Sequence, residues 1–366
     1  MNVLVTGSNG FIGKNLCLEL KINNYTVFEF DLTNSIFELE KYVKEADFII
    51  HLAGVNRPLS NDEFYDGNVN FTLKLIETLK NSGRSIPILF SSSIHAEKEN
   101  DYGKSKKMAE DLIAEYGKNT GSNAYIFRLA NAFGKWCKPN YNSVVATFCH
   151  NIANNIDIEI KDGSIEISFV YIDDIVNEFM NCLDCIKRDG ILSVNPVYPI
   201  TIDNLAKTIK QFRDSRINNI LPNLKNDFYK KLYSTYLSYL PENKFSYPLK
   251  MNADERGSFS EFIKTDGYGQ VSVNISKPGI VKGNHWHHTK NEKFLVVSGK
   301  GIIRFREIGK NKIIEYYVSD EKLEVVDIPP GYTHNIENLG DTDMVTIMWA
   351  NELFDVNKLD TFYEKV

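Results

Sequence analysis

Apolar runs of strand length alternate with stretches of helical period along the first part of the chain. The strand-like runs are NVLVT at 2–6, TVFEF at 26–30, DFIIHLAG at 47–54 and PILFSSS at 87–93, and helical patterns such as KNLCLELKINN separate them. A strand followed by a helix, repeated along a chain, is the pattern of a doubly wound parallel sheet. The pattern therefore predicts an α/β fold with a Rossmann-like sheet in this part of the chain.

The pattern changes near residue 251, where short strands begin to follow one another at regular spacing between turn signals. The runs are GSFSEFIK, QVSVNIS, EKFLVV, GIIRFRE, IIEYYV, LEVVDI and DMVTIMW. Their spacing predicts a C-terminal all-β barrel. Residues 221–250 carry three prolines and seven aromatic residues, and we interpret them as the end of a substrate lobe followed by a linker. We expect two domains with a boundary near residue 245, spanning residues 1–245 and 246–366.

Composition and charge narrow the classes of function. A chain of 366 residues is long enough for two cores, and its 43% hydrophobic and 25% charged residues are ordinary for globular proteins. The net charge of −6 offers no electrostatic footprint for nucleic acid or for an anionic membrane. No apolar run reaches the ~18 residues of a membrane span. We therefore expect no nucleic-acid partner and no membrane insertion.

The N-terminus and the cysteines indicate a cytoplasmic protein. The chain begins MNVLVTGSNGFIG and enters a strand at once, without the basic region and cleavage site of a signal peptide. Its five cysteines are scattered and odd in number. Cys182 and Cys185 form a lone CxxC within a helical pattern, which favours helix packing over metal or redox chemistry.

A glycine-rich turn joins the first strand to the first helix. Gly7, Gly10 and Gly13 are spaced three apart, which places bare backbone at the tight turn, at the approach to a pyrophosphate and at the helix–strand contact. The helix N-terminus supplies unpaired N–H groups for the phosphates. Asp31 ends the second strand, where its carboxylate can accept hydrogen bonds from ribose hydroxyls and should repel the 2′-phosphate of NADP(H). The other residues expected at the coenzyme are Phe11, Ile12, Leu52, Ala53, Gly54 and Asn68.

Tyr102 and Lys106 lie four residues apart at the start of a helical pattern, so they project from one face of a helix. A lysine ammonium beside a phenol stabilises the phenolate and lowers the tyrosine pKa toward neutrality. Tyr102 would then exchange a proton with a carbonyl oxygen while hydride moves from a nicotinamide. A serine at the end of the PILFSSS strand can hold the same oxygen.

The strand, the TGSNGFIG turn, the serine cluster and the YGKSK run together resemble the extended short-chain dehydrogenase/reductase family. The resemblance implies an NAD(P)H-dependent oxidoreductase with Ser93, Tyr102 and Lys106 as catalytic residues. Tyr102 and Lys106 would also contact the coenzyme, and Ser92 is the fallback for Ser93. Only eight residues separate Ser93 from Tyr102, fewer than the family usually has. His95 in that segment is interpreted either as a substrate-facing residue or as a solvated loop histidine.

A later stretch, FRLANAFGKWCKPNYNSVVATFCHNIANN, resembles the region where members of this family begin the substrate lobe. The resemblance places four side chains near the phosphates of a nucleotide substrate: Arg128, Asn131, Lys135 and Lys138. A solvated charge pattern is a fair alternative for the two lysines.

Histidines cluster near the C-terminus at spacings that suit a metal site. His285 and His287 share one side of a strand, because side chains alternate along a strand. Glu292 falls near the start of the next strand, and His334 stands just past a Pro-Gly turn. Three imidazoles and one carboxylate suit Zn²⁺ or another borderline divalent metal. His288 points to the opposite side of the strand from His287.

This spacing, with Gly279, Gly299, the Pro-Pro-Gly turn and Asn338, resembles the two motifs of the cupin β-barrels. Leu323 departs from the pattern, because the second motif often begins with glycine. The alternative is that HWHH is a surface loop and His334 an unrelated turn residue.

The pairing of the two domains resembles, across essentially the whole chain, a family of bifunctional capsular-polysaccharide enzymes. The stretches that carry the resemblance are HLAGVNRP, FGKWCKPNYNSV, LYSTYLSYLP, GNHWHHTKNEKFLVVSGKG and GYTHNIENLGDTDMVTIMW. It implies a step in UDP-N-acetyl-L-fucosamine synthesis, in which the cupin domain epimerises C3 of UDP-2-acetamido-2,6-dideoxy-4-hexulose. The reductase domain would then reduce C4, giving UDP-2-acetamido-2,6-dideoxy-L-talose. The resemblance also implies NADPH as the coenzyme and a homodimer formed through the cupin.

Several alternatives stay open at this stage. Asp31 favours NADH, whereas the resemblance favours NADPH. The metal is either a Lewis acid on the ketone or a structural ion. The main alternative functions are a nucleotide-sugar 4-epimerase that retains NAD⁺ and carries a non-catalytic cupin for dimerisation, and a non-catalytic sensor. The residues considered as the base of the epimerisation are His288, Lys293, Glu315 and Tyr316.

Overall fold

The computed structural model of the chain describes residues 1–58, 60–184, 190–355, 357 and 360–366. The chain forms two compact units, of which the first comprises Met1–Lys210 with Lys225–Pro241 and the second Gln211–Leu224 with Glu242–Val366. Cys182 is buried, whereas Cys185 lies outside the described residues. Among the described residues, none of the helices combines the length and the apolar character that crossing a membrane requires.

Strands and helices alternate along the first unit, as the sequence predicts. Its strands are β1 (Asn2–Thr6), β2 (Thr26–Phe30), β3 (Phe48–His51), β4 (Ile88–Ser93), β5 (Ala124–Leu129), β6 (Asn131–Phe133), β7 (Glu166–Tyr171), β8 (Gly190–Leu192) and β9 (Tyr198–Thr201). The α-helices of the chain are α1 (Phe11–Ile22), α2 (Ile36–Glu45), α3 (Asp62–Phe64), α4 (Phe71–Ser82), α5 (Asp101–Thr120), α6 (Val144–Ala153), α7 (Ile172–Asp184), α8 (Ile202–Asn218) and α9 (Asp227–Leu237). A π-helical segment at Tyr65–Asn70 joins α3 to α4, and 3-10 helices span Ile94–Glu97 and Glu242–Lys244.

A parallel sheet with the strand order β2-β1-β3-β4-β5-β8 forms the centre of the first unit. Alternate side chains of a strand point to opposite faces of a sheet. Val3 and Val5 of β1 accordingly pack with residues of α1 and α7 in one hydrophobic cluster. Leu4 packs with residues of α2, α4 and α5 in another. Both faces are therefore covered, which explains the continuous apolar runs of these strands and confirms the doubly wound sheet.

The strand order reverses at β1, which has β2 on one side and β3 on the other. Ligands of open α/β sheets bind outside the carboxyl ends of the strands at such a switch point. Gly7 follows β1, Gly54 comes shortly after β3, and Ser93 ends β4. All three line one cavity, so the topology brings the predicted coenzyme and catalytic residues to one edge of the sheet.

A small sheet of β6, β7 and β9 completes the first unit, with β6 parallel and β9 antiparallel to β7. Lys231 of α9 forms an ion pair with Asp174 of α7 (2.8 Å) and donates to the Tyr198 hydroxyl of β9 (2.9 Å). These contacts hold α7 and α9 against the small sheet.

The second unit is built of antiparallel strands that include the seven runs predicted from the sequence. The two sheets have the orders β10-β11-β12-β19-β14-β17 and β16-β15-β18-β13-β20. Phe294 of β14 and Phe305 of β15 belong to one hydrophobic core, so the two sheets pack face to face. The strands are β10 (Asn252–Asp254), β11 (Gly257–Thr265), β12 (Gly269–Ser276), β13 (Val281–Trp286), β14 (Glu292–Ser298), β15 (Lys300–Glu307), β16 (Ile313–Ser319), β17 (Val325–Ile328), β18 (Tyr332–Asn338), β19 (Met344–Ala350) and β20 (Phe362–Tyr363).

A fully buried histidine, His51, links three elements beneath the glycine-rich turn. The Thr72 hydroxyl donates to the Asn68 carbonyl (2.6 Å), so it accepts a hydrogen bond from Nε2–H of His51 (2.9 Å). Nδ1 of His51 then accepts from the Thr6 hydroxyl (2.7 Å). Both ring nitrogens of the neutral imidazole are satisfied, and burial lowers the pKa of His51 to about 3.

Protonation of His51 is expected to destabilise the protein at acid pH. The unfolded chain binds this proton below pH 6.5, whereas the folded chain resists it until about pH 3, so stability falls as the pH decreases between these values. This one group should remove about 2 kcal/mol from the free energy of unfolding between pH 7 and pH 5. Urea denaturation at both pH values measures the loss. His51→Gln should make the measured loss smaller by about this amount, and His150→Gln, outside this network, should leave the loss as it is in the wild type. A loss of equal size in all three proteins would assign the effect to other groups.

Candidate active site

The glycine-rich turn lies at the carboxyl end of β1. Gly7 has a φ of +71°, and a Cβ on Gly13 would lie 2.2 Å from the Gly7 carbonyl oxygen, so a larger side chain at either position forces a shift. Gly10 precedes α1 without a side-chain cap, which leaves the first N–H groups of the helix available to an anion. The turn residues Gly7, Gly10, Phe11, Ile12 and Gly13 line a cavity of about 1180 Å³.

The Asp31 carboxylate holds this turn from the end of β2. One of its oxygens accepts the backbone N–H of Asn9 (2.7 Å), and the other accepts that of Leu32 (2.8 Å). Asp31 is not among the residues that line the cavity. Each carboxylate oxygen keeps a second lone pair, so the hydrogen bonds within the protein remain compatible with a contact to a ribose hydroxyl.

Asn68 is buried within the π-helical segment, whereas the sequence places it at the start of a helix and at the coenzyme. Its amide donates to the Val55 carbonyl (3.0 Å) and the Ser105 hydroxyl (2.9 Å), and its oxygen accepts the Val55 N–H (2.9 Å). Leu52 and Gly54 line the cavity, but Ala53 and Asn68 do not. The structure therefore gives Asn68 a positioning role, in which it joins the backbone after β3 to α5.

The three predicted catalytic side chains line the same cavity. Ser93 ends β4, and Tyr102 and Lys106 share one face of α5. The short connection between Ser93 and Tyr102 contains the 3-10 helix Ile94–Glu97. The Ser93 hydroxyl accepts the backbone N–H of His95 (3.1 Å) and interacts with the phenol of Tyr102.

Burial shifts the pKa values of Tyr102 and Lys106, and the shift of Tyr102 is opposite to the one predicted from the sequence. The pKa of Tyr102 is raised by burial, and only the Ser93 hydroxyl acts in the opposite direction. The Lys106 ammonium donates to the Ser91 carbonyl (3.1 Å), and burial lowers the pKa of Lys106 to about 8. Tyr102 is therefore a protonated phenol at neutral pH, which suits a proton donor.

The neighbouring Ser92 is engaged elsewhere, which argues against it as the fallback for Ser93. Its hydroxyl donates to the buried Glu110 carboxylate (2.6 Å). Arg128 donates to the same carboxylate through Nε (2.9 Å) and through a second guanidinium nitrogen (2.8 Å). Arg128 is thus an ion-pair partner inside the protein, and the expectation that it meets substrate phosphates is wrong in this structure. Glu110 was missed because no motif contains it.

The other residues expected near substrate phosphates divide into two groups. Asn131 and Lys138 line the cavity, whereas Lys135 forms an ion pair with Asp173. His95 also lines the cavity, where its Nδ1 is buried with no hydrogen-bond partner among the residues that the structure describes, and burial lowers the pKa of His95. This placement favours the substrate-facing interpretation of His95.

The four predicted metal ligands converge in the second unit. His285 of β13 pairs directly with His334 of β18, His287 follows β13, and Glu292 begins β14. One ligand atom from each residue lies within 4.8 Å of all the others. Burial lowers the pKa of His285 to about 4, so its imidazole is neutral, as metal ligation requires.

The distances from Glu292 to two of the three histidines fit a tetrahedral divalent metal. Oε2 of Glu292 lies 3.5 Å from Nε2 of His287 and 3.4 Å from Nε2 of His334. Ligand atoms bound about 2.0–2.2 Å from a tetrahedral zinc are roughly 3.3–3.6 Å apart. These three atoms are buried and have no hydrogen-bond partner among the described residues. Nδ1 of His287 contacts the Asp360 carbonyl, which holds the tautomer that leaves Nε2 free to bind a metal.

A cavity of about 300 Å³ opens beside the metal-ligand set. Glu292, Gln270, Ser272 and Lys290 are among the residues that line it, and Nζ of Lys290 lies 2.9 Å from Oε1 of Glu292. Lys290 lies within the first metal-ligand motif, between His287 and Glu292, but the motif assigns no role to this position. Its place two residues before Glu292 is the signal that points to it. The described residues that line this cavity include none of the four considered as bases: His288, Lys293, Glu315 and Tyr316.

Two families match the chain. Residues 3–189 match the NAD dependent epimerase/dehydratase family, and residues 252–362 match the polysaccharide biosynthesis C-terminal domain. A UDP-2-acetamido-2,6-beta-L-arabino-hexul-4-ose reductase from Pseudomonas aeruginosa is 46% identical over 364 residues, which covers 99% of this chain and 98% of the relative. A dTDP-4-dehydro-6-deoxyglucose reductase from Escherichia coli is 27% identical and covers 57% of this chain and 80% of its own length.

Solved structures also match the chain. The capsular polysaccharide assembling protein CapF from Staphylococcus aureus is 54% identical, with a TM-score of 0.95 and full coverage (100%) of both chains. A UDP-glucose 4-epimerase from Thermotoga maritima matches with a TM-score of 0.54 at 21% identity, covering 65% of this chain and 98% of its own. The second likeness shows a shared fold alone.

Proposed function

The chain belongs to the NAD-dependent epimerase/dehydratase family, and on that premise we propose that it is a bifunctional UDP-sugar enzyme. The second unit epimerises C3 of UDP-2-acetamido-2,6-dideoxy-4-hexulose, and the first unit reduces C4 with NAD(P)H to give UDP-2-acetamido-2,6-dideoxy-L-talose. The relative from Pseudomonas aeruginosa, whose name specifies reduction of a UDP-linked 4-ketose, supports this substrate. The product belongs to the synthesis of UDP-N-acetyl-L-fucosamine for capsular polysaccharide. We place the boundary between the two functions near residue 245.

The observation that carries the proposal is the meeting of Ser93, Tyr102 and Lys106 in the cavity that the glycine-rich turn also lines. The nicotinamide coenzyme, when bound, supplies the hydride for C4. Tyr102, protonated because burial raises its pKa, donates its phenolic proton to the ketone oxygen, and the Ser93 hydroxyl orients that oxygen. The Lys106 ammonium lies close to Gly54, because a Cβ built on Gly54 would be 3.1 Å from Nζ of Lys106. Its positive charge is therefore at the wall of the cavity that would face the coenzyme.

Asp31→Asn is expected to raise the ratio of kcat/KM for NADPH to that for NADH about tenfold, because it removes a full negative charge near the expected 2′-phosphate. Asparagine keeps one oxygen that can accept the Asn9 N–H, so the glycine-rich turn should be preserved. Initial rates with each coenzyme and the 4-keto sugar measure the ratio. Glu29→Gln removes the same charge two residues earlier on β2 and should leave the ratio unchanged. An unaltered ratio in Asp31→Asn would exclude Asp31 from the discrimination.

The metal-ligand set and its adjacent cavity support epimerisation in the second unit. A divalent metal held by His285, His287, Glu292 and His334 would supply a Lewis acid for the ketone oxygen. The C4 ketone acidifies the neighbouring C3–H bond, so removal of that proton and its return to the opposite face invert C3. Reduction consumes the ketone, and epimerisation must therefore precede it.

We further propose that the second unit forms a homodimer. β16 and β17 are edge strands of their sheets. They and the turn between them expose large apolar side chains, a pattern that marks interaction surfaces. Sedimentation velocity measures the oligomeric state, and a monomer at micromolar concentration would contradict this part of the proposal. The exposed residues are Ile313, Tyr316, Tyr317, Leu323 and Val325.

Proton NMR of the UDP-linked 4-keto sugar with enzyme in D₂O tests the proposed function. Without coenzyme, loss of the C3 proton signal by exchange would establish epimerisation independently of reduction, and an unchanged signal would leave a reductase alone. Coenzyme is then added. Stoichiometric oxidation of NAD(P)H supports the reductase, whereas turnover without net oxidation, by protein purified with NAD⁺ bound, would favour the 4-epimerase alternative.

A further inference from the structure

An exposed indole lines the same cavity as Ser93 and Tyr102. Trp136 contributes to the wall and leaves 52% of its surface exposed. Its φ is +68°, a left-handed conformation that bulky side chains rarely adopt. We propose that Trp136 is the platform on which the uracil base of the UDP-sugar stacks, an inference that rests on the function proposed above.

Hydrogen bonds hold the backbone on both sides of Trp136. The Tyr239 hydroxyl lies 2.5 Å from the Cys137 carbonyl oxygen, and the Asn15 amide donates to the Lys135 carbonyl (3.5 Å). A residue in a strained conformation persists only where its surroundings over-determine it. Lys135 lies over one face of the indole, with Nζ 5.5 Å from the ring centroid. Because the indole nevertheless stays half exposed, its own packing does not account for the conformation. The protein therefore maintains an unfavourable backbone in order to present this ring at the cavity.

The neighbouring groups complement the rest of a nucleoside diphosphate. Lys138 lies over the Tyr141 ring, with Nζ 5.3 Å from the ring centroid, and both residues line the cavity. Ser143 caps α6, and Thr147 in the first turn of that helix lines the same cavity. A lysine and a helix N-terminus both attract phosphate. A diphosphate between them would bring the attached base to the aromatic segment at 136–141, where the face of an indole binds a planar ring by stacking.

Trp136→Gly tests the proposal because it removes the ring and relieves the backbone. Glycine adopts a φ of +68° without strain, so the variant should unfold at the wild-type temperature or above it. Its dissociation constant for UDP, measured by calorimetry with saturating NADP⁺, should rise on the order of tenfold through the loss of base stacking. Trp136→Phe keeps an aromatic face and should retain most of the affinity.

Fluorescence gives a second readout, because Trp136 is one of three tryptophans. UDP should quench the emission of the wild-type protein and leave that of Trp136→Phe nearly unchanged. Phe37→Leu, which alters an exposed aromatic residue of α2 outside the cavity, should match the wild type in both measurements. Equal UDP affinity in wild type and Trp136→Gly, or equal quenching in wild type and Trp136→Phe, would overturn the proposal and leave the proposed function standing. Failure of the wild-type protein to bind UDP would overturn both.

Discussion

The Tyr102→Phe enzyme is expected to reduce the C4 ketone about 10²–10⁴-fold more slowly than the wild type, while C3 of the same sugar still exchanges its proton with solvent. Hydride addition leaves negative charge on the ketone oxygen, and the substitution removes the phenolic proton that neutralises it. Phenylalanine keeps the ring that packs against Phe64, at a centroid distance of 5.6 Å, so the fold of α5 should persist. Single-turnover oxidation of NAD(P)H measures the first quantity, and NMR in D₂O measures the second.

Two further results bear on this expectation. Tyr42→Phe removes a phenolic hydroxyl from α2, outside the cavity, and should leave both activities at the wild-type level. An undiminished rate of reduction in Tyr102→Phe would exclude Tyr102 as the proton donor. A parallel loss of C3 exchange would show that the two reactions share a site, and would contradict their assignment to separate units.

The parallel sheet and its glycine-rich turn are predictable from the sequence because the information for them is local. The run at 2–6 is apolar on both faces and is followed at once by Gly7, Gly10 and Gly13, so strand, turn and helix are all encoded within about twenty residues. The end of β3 is an element boundary that the local pattern does not predict correctly. The sequence predicts a strand over 47–54, but β3 ends at His51, and the residues that follow leave the sheet to form the cavity wall.

Errors arise where the partner of a side chain is distant in sequence. Arginine is a common phosphate ligand, but the guanidinium of Arg128 forms hydrogen bonds with the Glu110 carboxylate instead. No sequence motif connects these two residues. The pKa of Tyr102 is mispredicted for a related reason. A four-residue spacing places Lys106 on the same face of the helix, yet the degree of burial that raises the pKa of the phenol follows from packing between elements.

The four predicted metal ligands are in part predictable from local sequence and in part dependent on distant strands. The side-chain period of a strand predicts that His285 and His287 share a side. The pairing of His285 with His334 depends on the register of β13 and β18, which are separated by more than forty residues, and no local pattern encodes it. The resemblance to the cupin motifs predicts that the four side chains converge, but it does not specify which residues of the two strands pair.

The His334→Ala enzyme is expected to lose its metal and to exchange the C3 proton at least about a hundredfold more slowly than the wild type, since a Lewis acid on the ketone is worth several kcal/mol. His334 contributes one of the three buried atoms that have no hydrogen-bond partner in the described part of the chain, and alanine leaves the other two without a complete ligand set. Elemental analysis after dialysis measures the metal, and NMR in D₂O measures the exchange.

His288→Ala is the matched control. His288 is exposed, and its ring packs on Trp286 and Phe362 with centroid distances of 4.6 and 4.9 Å, so the substitution removes an imidazole next to His287 in sequence without removing a predicted ligand atom. The variant should keep both the metal and the exchange. Equal losses in His288→Ala and His334→Ala would trace the effect to a general disturbance of packing rather than to the loss of a metal ligand.

Comparing reduction with C3 exchange in His334→Ala shows which of the two reactions depends on the metal. Because Ser93, Tyr102 and Lys106 belong to the first unit, metal-free His334→Ala must still reduce the C3-inverted 4-ketose when that sugar is supplied ready-made. Loss of this activity would mean that the reductase unit also depends on the metal and that the two reactions are not independent. Persistent C3 exchange in metal-free His334→Ala, accompanied by a lower unfolding temperature, would show that the metal is a structural ion. The group that acidifies the C3–H bond would then be expected in the cavity lined by Lys290 and Gln270.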